Sequence, residues 1–261
     1  MSTAPSAAAE PSAPTASFER PATVGILGGM GPAAGVDFAR LFVEACERCL
    51  REAGLPVKDQ AYPPHWLAQL PVPDRTAALQ DDAAPQPLDG MRQGLAQLRG
   101  LGARAVAVSC NTAHAWHAPL QDSAPDLELL HIARETVASL RRQGHGRAAL
   151  LATRGTYRFG IYDRAFADAG IECVLPDESA RDLLMQGIYD GVKAGDLALA
   201  RSRFVEVGNA LQERHGPLPL VMACTEIPLA LPSAPQAEGW RLVDPSAILA
   251  TALARRAYGR G

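Results

Sequence analysis

The chain has 261 residues, 48% of them apolar and 20% charged, with a formal net charge of −3, enough to bury a core as one large domain or two smaller ones. That near-neutral balance, without a basic run, argues against a nucleic-acid partner, and no uninterrupted apolar stretch of about 18 residues is present to cross a membrane. The five cysteines (Cys46, Cys49, Cys110, Cys173 and Cys224) are odd in number in a chain too large to need disulfide staples, which points to a reducing compartment, the cytoplasm.

Met1 to Pro21 is almost all Ala, Ser, Pro and Thr, with neither a basic start nor an apolar centre, and reads as a disordered tail rather than a secretory signal. Val24 to Gly28 is a short buried strand, and Gly28-Gly-Met-Gly-Pro32 a tight turn. A helix follows over Ala33 to Ala53 with Phe38, Leu41, Phe42, Ala45 and Cys49 on one face. The glycine spacing does not match G-x-G-x-x-G, so a backbone opened toward a small charged group suits this turn better than a nucleotide site. Cys46 and Cys49 form a C-x-x-C inside that helix, and no second Cys or His pair stands at ligand spacing; helix-face residues are expected, with no metal.

A second strand begins at Trp66 and runs into a loop stiffened by Pro71 and Pro73, which would hold Asp74 and Arg75 in fixed positions. An arginine so held is suited to gripping a carboxylate bidentately. Leu88 to Leu101 is an amphipathic helix leading to the apolar run Arg104 to Val108, which ends in Ser109-Cys110-Asn111-Thr112-Ala113-His114. This puts Cys110 at the carboxyl end of a buried strand and at the mouth of a helix, where ligands collect in open α/β sheets and where a thiolate is favoured.

The alternation then repeats, with strands at Leu127–Ile132, Ala148–Thr153 and Ile171–Leu175. Helices are expected over Ala133–Arg142, Tyr157–Ala169, Ala180–Val192 and Leu197–His215. Pro217 to Pro228 restates the earlier pattern: an apolar strand, Cys224 at its end, then Thr225 and Glu226 opening a helix. A last strand, Arg241–Asp244, and a last helix, Pro245–Tyr258, close the chain. Two strand–cysteine–threonine mouths in one alternating chain are the footprint of two similar half-domains facing across a cleft. Two thiols on opposite faces of one carbon can remove a proton from one side and return it from the other, inverting stereochemistry without a cofactor. The helix mouths would bring the thiols toward working pH, and His114 and Glu226 are placed either to assist them or to cap their helices.

Six segments carry a family resemblance: GILGGMGP at Gly25–Pro32, PDRTAAL at Pro73–Leu79, SCNTAH at Ser109–His114, LLATRGTY at Leu150–Tyr157, IYDGVKAG at Ile188–Gly195 and ACTEIPL at Ala223–Leu229. Through them the chain resembles the cofactor-independent aspartate/glutamate racemase superfamily, and within it the aspartate racemase branch. The resemblance implies an α/β fold of two pseudo-symmetric domains, each with a mainly parallel sheet flanked by helices and the active site in the cleft between them. It implies domains over 22–130 plus 245–261 and over 131–244, with the final helix packing back on the first domain, usually in a homodimer. It gives the proton-transfer roles to Cys110 and Cys224 and substrate contacts to Met30, Asn111, Thr112, Thr153, Thr225 and Glu226. Arg75 and Lys193 match the cations that hold a distal carboxylate. The expected substrate is a free acidic amino acid, aspartate before glutamate, with no cofactor and no nucleic-acid or membrane partner. Racemisation of another amino acid, malonate-type decarboxylation, or non-catalytic binding of small anions on the same scaffold remain alternatives. The turn residues Ala33-Ala-Gly35 depart from the family's bulky residue and threonine and bear on which acid enters.

Overall fold

The structure, a computed structural model, describes residues 20–260, so all but the last two residues of the expected tail lie outside the described residues. Two four-stranded sheets, parallel at every pairing, form the frame. The first contains β1 (Val24–Gly28), β2 (His65–Gln69), β3 (Ala105–Val108) and β4 (Glu128–Leu129), in the order β2-β1-β3-β4. The second contains β5 (Arg147–Ala152), β6 (Glu172–Val174), β7 (Leu220–Ala223) and β8 (Leu242–Val243), in the matching order β6-β5-β7-β8. Strands covered on both faces read as continuous apolar runs, which is why β1, β3 and β7 were legible as strands and are wholly buried. In each sheet the strand order reverses between the first and third strands, and a cleft opens beyond strand ends at such a switch point.

Helix α1 (Pro32–Glu52) starts on Pro32, whose missing N–H costs nothing there, and buries Phe38, Phe42, Ala45, Cys46 and Cys49. Those side chains pack with Leu249, Leu253 and Ala257 of the last helix (Pro245–Ala257), which crosses from β8 back to the first sheet. Ala22 N–H donates to Ala257 O at 2.8 Å and fastens the start of the described chain to that helix. This packing supports the division we propose, 22–130 with 245–261 against 131–244. The C-x-x-C cysteines belong to this core, and burial pushes the Cys46 thiol up to about 12.

Four expected helices differ. The one expected to open right after Cys110 begins as a 3₁₀ turn, Thr112–Trp116, and becomes a short α-helix only over His117–Ser123. Residues 157–169 form two short helices, Arg154–Arg158 and Asp163–Ala169, separated at Gly160, whose φ is +56°. The helix from Glu178 changes at Gly187 into a π-turn, Gly187–Lys193, pressed against the long helix Leu197–His215: a Cβ on Gly191 would lie 2.8 Å from that of Ala200. After Cys224 there is no α-helix but three short 3₁₀ turns (Ile227–Leu229, Leu231–Ser233 and Pro235–Ala237), because Pro228, Pro232 and Pro235 cannot donate the bonds a continuing helix needs.

Gly29 takes φ of +91°, and a Cβ there would overlap the Leu70 carbonyl oxygen. Gly29→Ala is therefore expected to cost about 2 kcal/mol or more, read as a lower urea midpoint at unchanged slope. An unchanged midpoint would contradict this account of the turn.

Candidate active site

The residues just beyond β1, β3, β5 and β7 converge. Met30 follows β1, Cys110 follows β3, Thr153 follows β5 and Cys224 follows β7, and all four line one narrow cleft of about 20 Å³. The same cleft is lined by Arg75, Asn111, Thr112, Lys193, Thr225 and Glu226, so the expected proton-transfer and substrate-contact residues meet there, while His114 does not join them. Asp74, Thr76, Ile188 and Tyr189 join them without having been singled out as site residues. Asp74 and Tyr189 stood inside the matched segments, but Tyr189 and Lys193 reach the cleft on a π-turn that no residue in that stretch announces.

Polar bonds cross the cleft between the two halves. Thr112 Oγ1 lies 2.9 Å from Thr153 Oγ1 and 3.2 Å from Thr156 Oγ1. Tyr162, fully buried, donates to Asn111 Oδ1 at 2.5 Å, which aims the amide and leaves Nδ2 buried without an acceptor. The Tyr189 hydroxyl donates to Asp74 Oδ2 at 3.0 Å, while Asp74 Oδ1 caps the short helix Arg75–Gln80 by accepting Ala77 N–H at 2.7 Å.

Arg75 is thus the first residue of a capped helix rather than part of an open loop, and it is buried. The bidentate grip expected of it is partly engaged already: Nη1 donates to Pro73 O at 3.0 Å and Nη2 to Met30 O at 2.6 Å. Nε is buried with no acceptor. Burial works against the charge, but the Cys110 sulfur and Asp74 outweigh it and hold the guanidinium above its usual value.

The two thiols are not alike. Cys224 Sγ donates to Glu226 Oε2 at 3.0 Å, Thr225 Oγ1 donates to the same oxygen at 3.2 Å, and Lys193 Nζ sits 3.2 Å from Oε1. Burial, then the Glu226 carboxylate, pushes the Cys224 thiol well above the ordinary range, the reverse of the lowering expected of a helix mouth. The physical reasons are the burial of the sulfur and the Glu226 charge beside it, and the 3₁₀ turn that follows brings no long helix to oppose them.

His114 does not touch a thiol. Its Nδ1 contacts the Cys110 backbone carbonyl at 2.9 Å, and its ring packs 5.2 Å from that of His131, itself 4.7 Å from His117. Burial first, and the neighbouring rings, lower His114 to about 4 and His131 to about 3.

The Asp/Glu/hydantoin racemase family matches residues 27–253, and the chain belongs to that family, a family of isomerases. A broad-specificity amino-acid racemase of Bacillus subtilis is 26% identical over 160 residues, which cover 59% of this chain and 64% of that one. Among solved structures, an aspartate racemase of Picrophilus torridus superposes with a TM-score of 0.76 at 27% identity, covering 91% of this chain and 94% of that one. A putative Asp/Glu racemase of Yersinia pestis does so with a TM-score of 0.70 at 24% identity, covering 90% and 99%, and has the same fold.

His114 and His131 titrate below the 6.5 of a free imidazole in the folded protein, so the unfolded chain binds protons that the native one refuses as pH falls through 6.5. Their contribution is intact above that pH and lost on acidification toward 4 and below. Tm is expected to fall between about pH 7 and about pH 4.5, and less steeply in His131→Asn, which removes one proton and still suits the start of the helix Ile132–Arg142. A Tm equally steep in both proteins would contradict this origin.

Proposed function

We propose that the protein interconverts L- and D-aspartate, with glutamate as a further substrate, by cofactor-independent proton transfer between Cys110 and Cys224. One observation carries the reading. Two thiols from equivalent strand ends of separate sheets line one cleft, and beside them two buried donors, Arg75 Nε and Asn111 Nδ2, have no acceptor. Buried donors left unpaired cost free energy, and a carboxylate-bearing ligand would relieve both. One thiolate takes the α-proton; the carbanion is held by the polar wall of Asn111, Thr112, Thr153 and Thr225; the opposite thiol returns a proton to the other face. Arg75 and Lys193 are the cations for the second carboxylate. Met30 closes the wall above Arg75 through its carbonyl.

The likeness to an aspartate racemase over nearly the whole chain supports this choice of substrate. A broader substrate range is the second reading. It is favoured by the broad-specificity relative and by the engagement of Arg75 with backbone carbonyls. A homodimer in the cytoplasm is part of the proposal, supported by Val36, Trp66 and Leu67, which stay exposed on and beside edge strand β2.

Purified protein given L-aspartate without pyridoxal phosphate should form D-aspartate, and Cys110→Ala or Cys224→Ala should each lower the rate at least about a hundredfold. Full activity in either variant would exclude the two-thiol scheme. Arg75→Leu should raise KM for aspartate about tenfold or more and leave KM for alanine unchanged; equal effects on both would favour the broader range.

A further inference from the structure

Cys110 and Cys224 occupy matching strand ends but meet opposite charges. Cys110 shares the cleft with the Arg75 guanidinium, whose charge its sulfur helps to hold. The Cys224 sulfur meets a carboxylate that disfavours a thiolate. A two-base racemase nevertheless needs Cys224 as a thiolate for one enantiomer, so its proton must have somewhere to go. Glu226 Oε2 already accepts that S–H, and Glu226 is only 5% exposed, so bulk water is a poor competitor. Its other oxygen is held by Lys193, and the turn before α1 lies directly against the pair. A Cβ on Gly31 would stand 3.3 Å from Glu226 Oε1 and 3.8 Å from Lys193 Nζ. The ion pair therefore sits in the cleft itself, where the two halves meet, with Lys193 within reach of a bound ligand.

We infer that Glu226 is the proton acceptor for Cys224, held as an idle carboxylate by Lys193 in the empty site and released when the substrate's second carboxylate takes Lys193. The inference rests on the two-thiol reading above. A buried carboxylate that loses its ammonium partner gains proton affinity, because its charge is no longer compensated. The S–H bond of Cys224 then breaks, its electron pair stays on sulfur, and an O–H bond forms at Glu226 Oε2. The thiolate takes the α-proton, the C–H pair is left on carbon, and the Cys110 thiol gives its proton to the opposite face. Glu226 next releases its proton to water, and Cys110 takes one back, which resets the site. An amino acid without a second carboxylate leaves Lys193 on Glu226 and Cys224 protonated. Selectivity for acidic substrates is thereby exerted on turnover as well as on affinity.

Hydrogen exchange at the α-carbon in heavy water separates the two thiols, since Cys110→Ala leaves only Cys224 and Cys224→Ala leaves only Cys110. With the enantiomer of aspartate whose α-hydrogen faces the remaining thiol, adding Glu226→Gln should cut exchange at least about a hundredfold in the Cys110→Ala background and at least about tenfold less than that in the Cys224→Ala background. Glu226→Asp should restore part of the loss. Equal losses in the two backgrounds would mark Glu226 as structural, and no loss in the first would remove it from the reaction; either overturns the inference. In the Cys110→Ala background, saturating aspartate should exchange at least about tenfold faster than saturating alanine, and Lys193→Gln should shrink that ratio. A ratio indifferent to Lys193→Gln would overturn the part given to Lys193. Wild-type protein that exchanges no α-proton of aspartate would instead overturn the two-thiol reading, and this inference with it.

Discussion

Two parallel sheets can share one cleft only if their carboxyl edges are held face to face, and here a few buried polar bonds do that. Thr112 meets Thr153 and Thr156, Tyr162 meets Asn111, and Tyr189 meets Asp74, each joining one half to the other. The apolar cores lie behind these contacts. One gathers α1 and the last helix, another gathers the long helix Leu197–His215 with β5 and β7. Burial of this kind supplies most of the stability, but it is non-directional and does not fix where two sulfurs stand. The hydrogen bonds contribute less energy and most of the geometry.

The cleft is symmetric in backbone and asymmetric in charge. Each sheet sends its first and third strand ends into the site, yet one thiol faces a guanidinium and the other a carboxylate tied to an ammonium group. A racemase needs its two bases to trade roles, so the difference must be bridged at each turnover. The Lys193–Glu226–Cys224 chain is a physical means of bridging it, and in the proposed scheme it draws on the substrate's second carboxylate.

The alternating apolar runs made both sheets legible, because parallel strands buried on two faces leave a continuous signal. Cys110, Cys224 and Arg75 were legible too, since each stands at a strand end or just after stiff prolines. What was not legible depends on tertiary packing. Nothing local to Gly187–Lys193 marks a π-turn; its close approach to Phe204 and Ala200 goes with it, and Tyr189 lies on it. The turns after Cys224 carry three prolines that speak against a helix, while the repeat of the Cys110 pattern speaks for one, and the prolines prevail. The direction of the Cys224 shift could not be read from a helix-mouth argument because it is set by the Glu226 side chain folding back on its own sulfur.

The claim on which all this turns is that two different groups handle the two faces of the α-carbon. It is tested most directly by running L-aspartate in heavy water to a few per cent conversion and measuring α-deuterium in both enantiomers. Two bases that do not share a proton place deuterium in the D-aspartate formed and leave the remaining L-aspartate unlabelled. Deuterium appearing equally in both from the start, or D-aspartate that retains the original α-hydrogen, would contradict the two-thiol account.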